Sequence, residues 1–343
     1  MTTNLCNQRR RSFLKLSGLL GLGAAAATVL PAAQAEAVLF GRRQYKVSNS
    51  RLAMGTLVTM TAIHPSRDEA EEAIGLAFAE IDRLRGLLSR HDPASPVSLL
   101  NAEGRLAQAP PEMVEVVGKA LAYHRQSNGA FEITVKPLID LYQASFKAGK
   151  TPSEAAINAL LPRIGSEQIH LSGSLISFGR EQMGITLDGI AKGYIVDRAS
   201  ELLRRQGIAN HLINAGGDIR TSGSAAGGKA WTVAIQDPAK GKEYPAVLRM
   251  TDGAVATSGN YEIFYDQEKL FHHIVDSRTG HSPHRFSSVT AKAASVLAAD
   301  ALSTSLFVLP PTAGLALIEQ TPGQAALLIE SNGTVTRSAT WPS

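Results

Sequence analysis

Apolar positions recur along most of the chain, and their period changes from one stretch to the next. Arg51–Ile63 reads as a strand. Ser66-Arg67-Asp68-Glu69 is a capping-box pattern and predicts a helix running to about Leu88. A loop, "SRHDPASPVSLLN", follows. Pro110 and Pro111 start a second helix that ends near Gly129, and Thr151-Pro152-Ser153-Glu154 caps a short third one. Strand-like pieces come next at Gln168–Leu171, Leu175–Phe178 and Gly184–Leu187. A helix from about Ile190 to Gln206 stops at Gly207. Further strands are predicted near His211–Asn214, Trp231–Gln236 and Ala246–Met250, on through Ile274, and at "SSVTAKAAS". Helices from Leu297 to about Leu309 and from Thr312 to Gln320 precede a last hairpin about Asn332-Gly333, a type I′ turn signal. Strands and helices come in mixed runs without strict alternation. That order predicts an α+β fold of mixed or antiparallel sheets with packed helices, not a doubly wound sheet.

The first 35 residues follow another pattern. Arg9, Arg10 and Arg11 precede a moderately apolar run, Leu16–Leu30, and then Ala33-Gln34-Ala35, a small-x-small cleavage pattern. Arg10-Arg11 with Ser12-Phe13-Leu14-Lys15 has the form of a twin-arginine export signal. The apolar run is too short to span a bilayer core of roughly 30 Å. The expectation is a signal removed on export to the periplasm (1–35), a flexible N-terminal segment (36–50) and one functional domain (51–343).

This segment also changes the charge balance. Its four basic residues meet no acid, and removing them from the total of 34 leaves 30 basic against 30 acidic residues. The near-neutral remainder excludes a nucleic-acid partner. The single cysteine, Cys6, lies upstream of the apolar run, so the mature chain has no disulfide, thiolate catalyst or cysteine metal site.

Four stretches carry candidate chemistry. In "LDGIAKGYIVDRA", a glycine-bearing turn runs into a helix whose free N–H groups favour an anion, and Lys192 adds a positive charge. In "NAGGDIRTSG", Gly216 and Gly217 allow close backbone approach, or simply a tight turn. In "AADALSTSLF", Asp300 and Thr304 stand four apart on one helix face, hard oxygen donors that suit Mg²⁺. The bland alternative is a helix-dipole acid and a packing threonine. In "FHHIVDSRTG", an extended chain puts His272 and His273 on opposite faces. His281 and His284 lie just beyond, but their spacing is not a usual zinc pattern.

Met54-Gly55-Thr56, Ser89…Asn101, "GAFEITVKPL", "GIAKGYIVD", "NAGGD", "TSGNYE", "HHIVDSRTG" and "ADALSTSLF" follow one another in order. On these motifs the chain resembles the ApbE family of FAD:protein FMN transferases over nearly its whole mature length. The resemblance implies Mg²⁺-dependent transfer of FMN from FAD to a threonine or serine hydroxyl of an acceptor protein, with release of AMP. An electron-transfer flavoprotein is the implied acceptor. The resemblance places Asp300, Thr304 and the Gly189 carbonyl on Mg²⁺. It places Met54, His91, Ala130, Phe131, Glu132, Thr186, Lys192 and Ile274 around FAD. His273 falls at the proposed catalytic base, with Asp276 orienting it or contacting the incoming peptide. His91 stands where an aromatic is usual, Glu132 and Thr186 where aspartate is common, and Ser277 where proline is common. The rival readings are an FAD pyrophosphatase, with water as acceptor, and a periplasmic FAD-binding protein.

Overall fold

The computed structural model describes residues 36–40, 44–241, 243–261, 264–266 and 270–342. The predicted export signal lies outside them. Strands β1 (Glu36–Phe40), β2 (Gln44–Ala53) and β3 (Thr56–His64) form an antiparallel meander. Tyr45–Ser50, within the expected lead-in, pair along β3, and Gln44 pairs with Phe40 of β1. Arg51–Ile63, read as one strand, breaks at Met54-Gly55, the turn between β2 and β3.

Helix α1 (Arg67–Leu88) starts where its cap predicts, with Ser66 Oγ accepting the Glu69 N–H at 3.3 Å. Its stripe of Ala70, Ile74, Ala77, Ile81, Leu84 and Leu88 is buried, the spacing of one helix face. Then come α2 (Pro96–Glu103), β4 (Arg105–Leu106), α3 (Pro111–Gln126), α4 (Lys136–Lys147), α5 (Glu154–Leu160), β5 (Ile169–Ser172) and β6 (Leu175–Phe178). The second half holds α6 (Ala191–Arg205), β7 (Asn210–Ala215), β8 (Asp218–Ser222), β9 (Trp231–Ile235), β10 (Ala246–Met250) and β11 (Gly253–Gly259). It ends with β12 (Phe286–Ala293), α7 (Val296–Val308), α8 (Pro311–Glu319), β13 (Ala325–Glu330) and β14 (Val335–Arg337).

The fold is α+β. Nine strands form one sheet in the order β1-β2-β3-β7-β8-β11-β12-β13-β14, antiparallel throughout. Helices α1, α6 and α7 lie side by side along it, over β2 and β3, over β7 and β8, and over β11 and β12. Strand alternation serves two cores. Ala326 and Leu328 of β13 pack with α7, while Ala325, Leu327 and Ile329 pack with Val233, Leu248 and Met250 of the β9–β10 hairpin. No helix among the described residues is long and apolar enough to cross a membrane.

Three predicted elements differ. The loop predicted at "SRHDPASPVSLLN" contains α2, because Ser95 caps it and Pro96 suits a first helical position. Gly184–Leu187 is not a strand. Asn101 takes the place of a neighbouring strand there, donating to the Ile185 carbonyl at 2.9 Å and accepting its N–H at 2.7 Å. The strand expected through Phe271–Val275 reduces to a single bridge between Phe264 and His272.

Helix α7 is apolar nearly all round and almost wholly buried, as a helix wedged between a sheet and other helices must be. Phe307 anchors it edge-on against Phe286 at 6.1 Å and His272 at 5.7 Å. Phe307→Ala is expected to cost roughly 3–5 kcal/mol, from lost apolar burial plus the cavity left behind. Chemical denaturation of wild type and variant measures it, and a loss below about 1 kcal/mol would show that the site collapses around the gap.

Candidate active site

A cavity of about 100 Å³ opens where α6 and α7 meet the ends of β8 and β11. Ala130, Phe131, Glu132, Thr186, Gly189, Lys192, His273, Ile274, Asp300 and Thr304 all border it. The other three predicted residues do not. Met54 sits in the β2–β3 turn with φ 51° and packs on the core under α1. His91 is exposed on the loop before α2. Asp276 is held by Arg278, whose backbone N–H (3.0 Å), Nε (2.8 Å) and Nη2 (2.7 Å) all donate to its carboxylate.

Asp188, Asp218, Thr257 and Ser258 also border the cavity, although sequence reasoning gave them no role. Their signal was present: Asp218 closes "NAGGD", and Thr257-Ser258 open "TSGNYE".

Charge is unevenly shared around this space. Glu132 and Asp188 are each answered by a neighbour. Glu132 is buried, and His124 Nδ1 lies 3.0 Å from it while Thr134 and the Ser166 backbone donate to it. Burial raises its pKa, but His124 and these donors outweigh it and hold the net value below the usual carboxylate range. Asp188 accepts from Arg90 Nε at 2.8 Å. The crowding around its carboxylate is outweighed by Arg90, so it too is held low, although half of its side chain stays exposed.

Asp218 and Asp300 differ. Both are buried, and Lys192 is 3.2 Å from Asp218 Oδ2. Asp300 receives the Gly193 N–H at 3.1 Å. Burial pushes Asp300 well above the ordinary carboxylate range, and Asp218 adds to that, against Lys192 and the Gly193 N–H. Burial raises Asp218 as well, against Lys192. Lys192, expected to meet a phosphate, is thus already committed in part to Asp218.

Thr304 stands one turn after Asp300 on α7. A methyl group placed on Gly189 would come within 3.1 Å of Thr304 Oγ1, so the turn before α6 touches α7 here. Asp300 and Thr304 bring a carboxylate and a hydroxyl to the cavity, which Gly189 also borders. Buried carboxylates persist when paired or when they hold a cation. This donor set and charge excess fit Mg²⁺.

The two histidines part company without a strand. His272 is fully buried. Its Nε2 lies 2.9 Å from the Pro283 carbonyl and its Nδ1 accepts the Ile274 N–H at 3.3 Å, which fixes a neutral ring protonated on Nε2. Burial lowers its pKa to about 4. His273 turns the other way, to the cavity.

An oxygen-rich cavity beside a helix start suits a ligand that carries phosphate. The sequence profile of the ApbE family matches residues 54–329, and the chain belongs to that family. It is 30% identical over 322 residues to a Treponema pallidum FAD:protein FMN transferase, covering 87% of each chain. A Klebsiella pneumoniae protein of the same name is 31% identical over 301 residues, covering 85% of this chain and 92% of its own. Among solved structures, ApbE of Thermotoga maritima superposes with TM-score 0.79 at 27% identity, over 86% of this chain and 97% of its own. The apo flavinyl transferase ApbE of Pseudomonas stutzeri gives 0.77 at 26% identity, over 88% and 97%.

The His124–Glu132 pair fixes the loop that carries Ala130 and Phe131, and its titration gives a test. The Glu132 hydrogen bond raises His124 above its ordinary 6.5. Its contribution to stability is therefore full below 6.5 and lost as pH rises through the raised value. Glu132, held below its ordinary 4.5, contributes above 4.5 and loses that as pH falls through its lowered value. The Tm difference between wild type and His124→Gln is expected to be largest between these limits and to narrow on either side. A difference that stays constant from acid to alkaline pH would remove the pair from the account.

Proposed function

We propose that the cavity holds FAD by its diphosphate and transfers the FMN half to a threonine or serine hydroxyl of an acceptor protein, releasing AMP. By family the chain is a transferase, an FAD:protein FMN transferase. The observation that carries the finer reading is the sharing of one lysine by the buried Asp218 and Asp300. A diphosphate would not enter a site with surplus negative charge unless a cation came with it. Asp300, Thr304 and the Gly189 carbonyl would hold Mg²⁺. When bound, the ion supplies charge neutralisation for the diphosphate and for the leaving AMP.

The chain's own groups do the rest. Lys192 and the N–H groups at the start of α6 orient the phosphates. His273 accepts the proton of the acceptor hydroxyl, and the oxygen bonds to the FMN phosphorus. The bond from that phosphorus to the bridging oxygen breaks, and AMP leaves with the electron pair. Phosphoryl transfer of this kind depends on alignment and charge more than on covalent help. Water in place of the hydroxyl would give FMN and AMP. An exported or membrane-bound electron-transfer flavoprotein is the acceptor class this reading favours. Mass spectrometry of an acceptor incubated with FAD and Mg²⁺ separates the outcomes: covalent FMN supports transfer, and free FMN alone overturns it.

His273→Ala is expected to slow FMN attachment by about a hundredfold or more, the usual range for losing a general base, while FAD still binds. His272→Ala is expected instead to lower stability, since it opens the core and strands the Pro283 carbonyl and the Ile274 N–H. Asp300→Ala should abolish transfer and Thr304→Ala weaken it. Initial rates at saturating FAD, with FAD affinity and Tm measured separately, decide among these. Full activity of Asp300→Ala at low Mg²⁺ would refute the ligand assignment.

Export by the twin-arginine route is part of the same proposal, supported by Arg10-Arg11 before a weakly apolar run. Replacing both arginines with lysine should leave precursor in the cytoplasm. Unchanged export would point to the general secretory route.

A further inference from the structure

The motif "GIAKGYIVD" ends on Asp197, which does not border the catalytic cavity. It lies instead beside a separate groove of about 280 Å³, with Arg198, Arg220, Ser295 and Leu297. Its carboxylate is nonetheless committed to α7. One oxygen accepts the Val296 N–H at 3.0 Å and the other the Leu297 N–H at 2.9 Å. These are the first two residues of α7, whose N–H groups have no partner within the helix. Ser295 Oγ takes the next one, from Ala298, at 3.2 Å. Arg220 stands behind Asp197, its Nη1 3.8 Å away and bonded also to the Ala294 carbonyl.

Four residues earlier on α6, one turn back on the same face, is Gly193. Its N–H donates to Asp300 at 3.1 Å. A methyl group on Gly193 would lie 2.6 Å from the Val296 carbonyl oxygen and 2.7 Å from the Leu297 nitrogen. The two helices therefore meet backbone to backbone. They are joined by one face of α6: a carboxylate that grips the start of α7 and a backbone N–H that grips Asp300 one turn further on.

We propose that Asp197 is a positioning residue for the phosphate-side chemistry: by holding the first turn of α7 against α6 it sets where Asp300 and Thr304 stand in the cavity. This rests on the metal reading given above. A side chain that acts through the ligands, without touching ligand or substrate, belongs to the outer shell on which metal affinity depends.

The test compares Asp197→Asn with Ser295→Ala in the full protein. Asparagine keeps the shape but turns one acceptor into a donor facing an N–H. Ser295→Ala removes a cap from the same helix and leaves the tie to α6 intact. Mn²⁺ binding in the presence of FAD is followed by electron paramagnetic resonance, and exchange of the Gly193 amide by hydrogen exchange. Asp197→Asn is expected to weaken Mn²⁺ about tenfold or more and to speed Gly193 exchange. Ser295→Ala is expected to lower Tm and change neither. If Asp197→Asn lowers Tm but matches Ser295→Ala in both other measurements, Asp197 is only a helix cap and the proposal falls. If wild type itself binds no Mn²⁺, the metal reading fails. The placement is then decided by Gly193 exchange alone, faster in Asp197→Asn if it holds and unchanged if it does not. Should Asp197→Asn not fold, Asp197→Ser, which keeps one oxygen acceptor, replaces it with the same expected directions.

Discussion

Two buried carboxylates that share one lysine are the constraint around which this structure is arranged. Asp218 and Asp300 come from distant parts of the chain, one at the start of β8 and one on α7, and each is costly to bury. Lys192, on the first turn of α6, is paired with Asp218 and eases the charge on Asp300. A backbone N–H from the same turn reaches Asp300. The strain in this arrangement is electrostatic, because one lysine faces two buried carboxylates. A cavity of this composition is one in which neither carboxylate can be neutralised without the other being affected.

The antiparallel sheet explains how such remote residues arrive at one place. Strands β8 and β11 pair directly, so the turn ending in Asp218 and the Thr257–Gly259 end of β11 lie at the same border. Helices α6 and α7 cross that border side by side. Their contact is too close for side chains at Gly193, which makes their spacing a property of backbone geometry. A site built on two touching helices and a strand end holds its donors more firmly than one built on loops.

Much of this was legible in the sequence. The cap at Ser66, the long helix after it, the helix beginning near Ala191 and the all-apolar α7 follow from period and capping, which are local signals. Asp300 and Thr304 were legible for the same reason, because helical spacing places them on one face. What escaped was set by tertiary contacts. Gly184–Leu187 has the composition of a strand, yet its hydrogen bonds go to the Asn101 side chain and the Ile133 carbonyl. Asp276 looks free in the sequence, yet Arg278 two residues on donates to its carboxylate. Asp218 and Asp197 lay inside recognised motifs, but their partners are Lys192 and the first turn of α7, which no local pattern reveals.

The paired histidines are separated by their surroundings and not by a strand. Alternation along a strand predicts opposite faces, but Phe271–Val275 holds only a single bridge at His272. What separates the rings is the demand of each environment. His272 occupies a closed space against Phe307, where burial forbids the charged form and two backbone groups fix the tautomer. A ring so held has no nitrogen left for chemistry. Its neighbour turns toward the polar cavity instead. The first histidine thus fixes the chain beneath the second, and its closed environment against Phe307 leaves only the second to face the cavity.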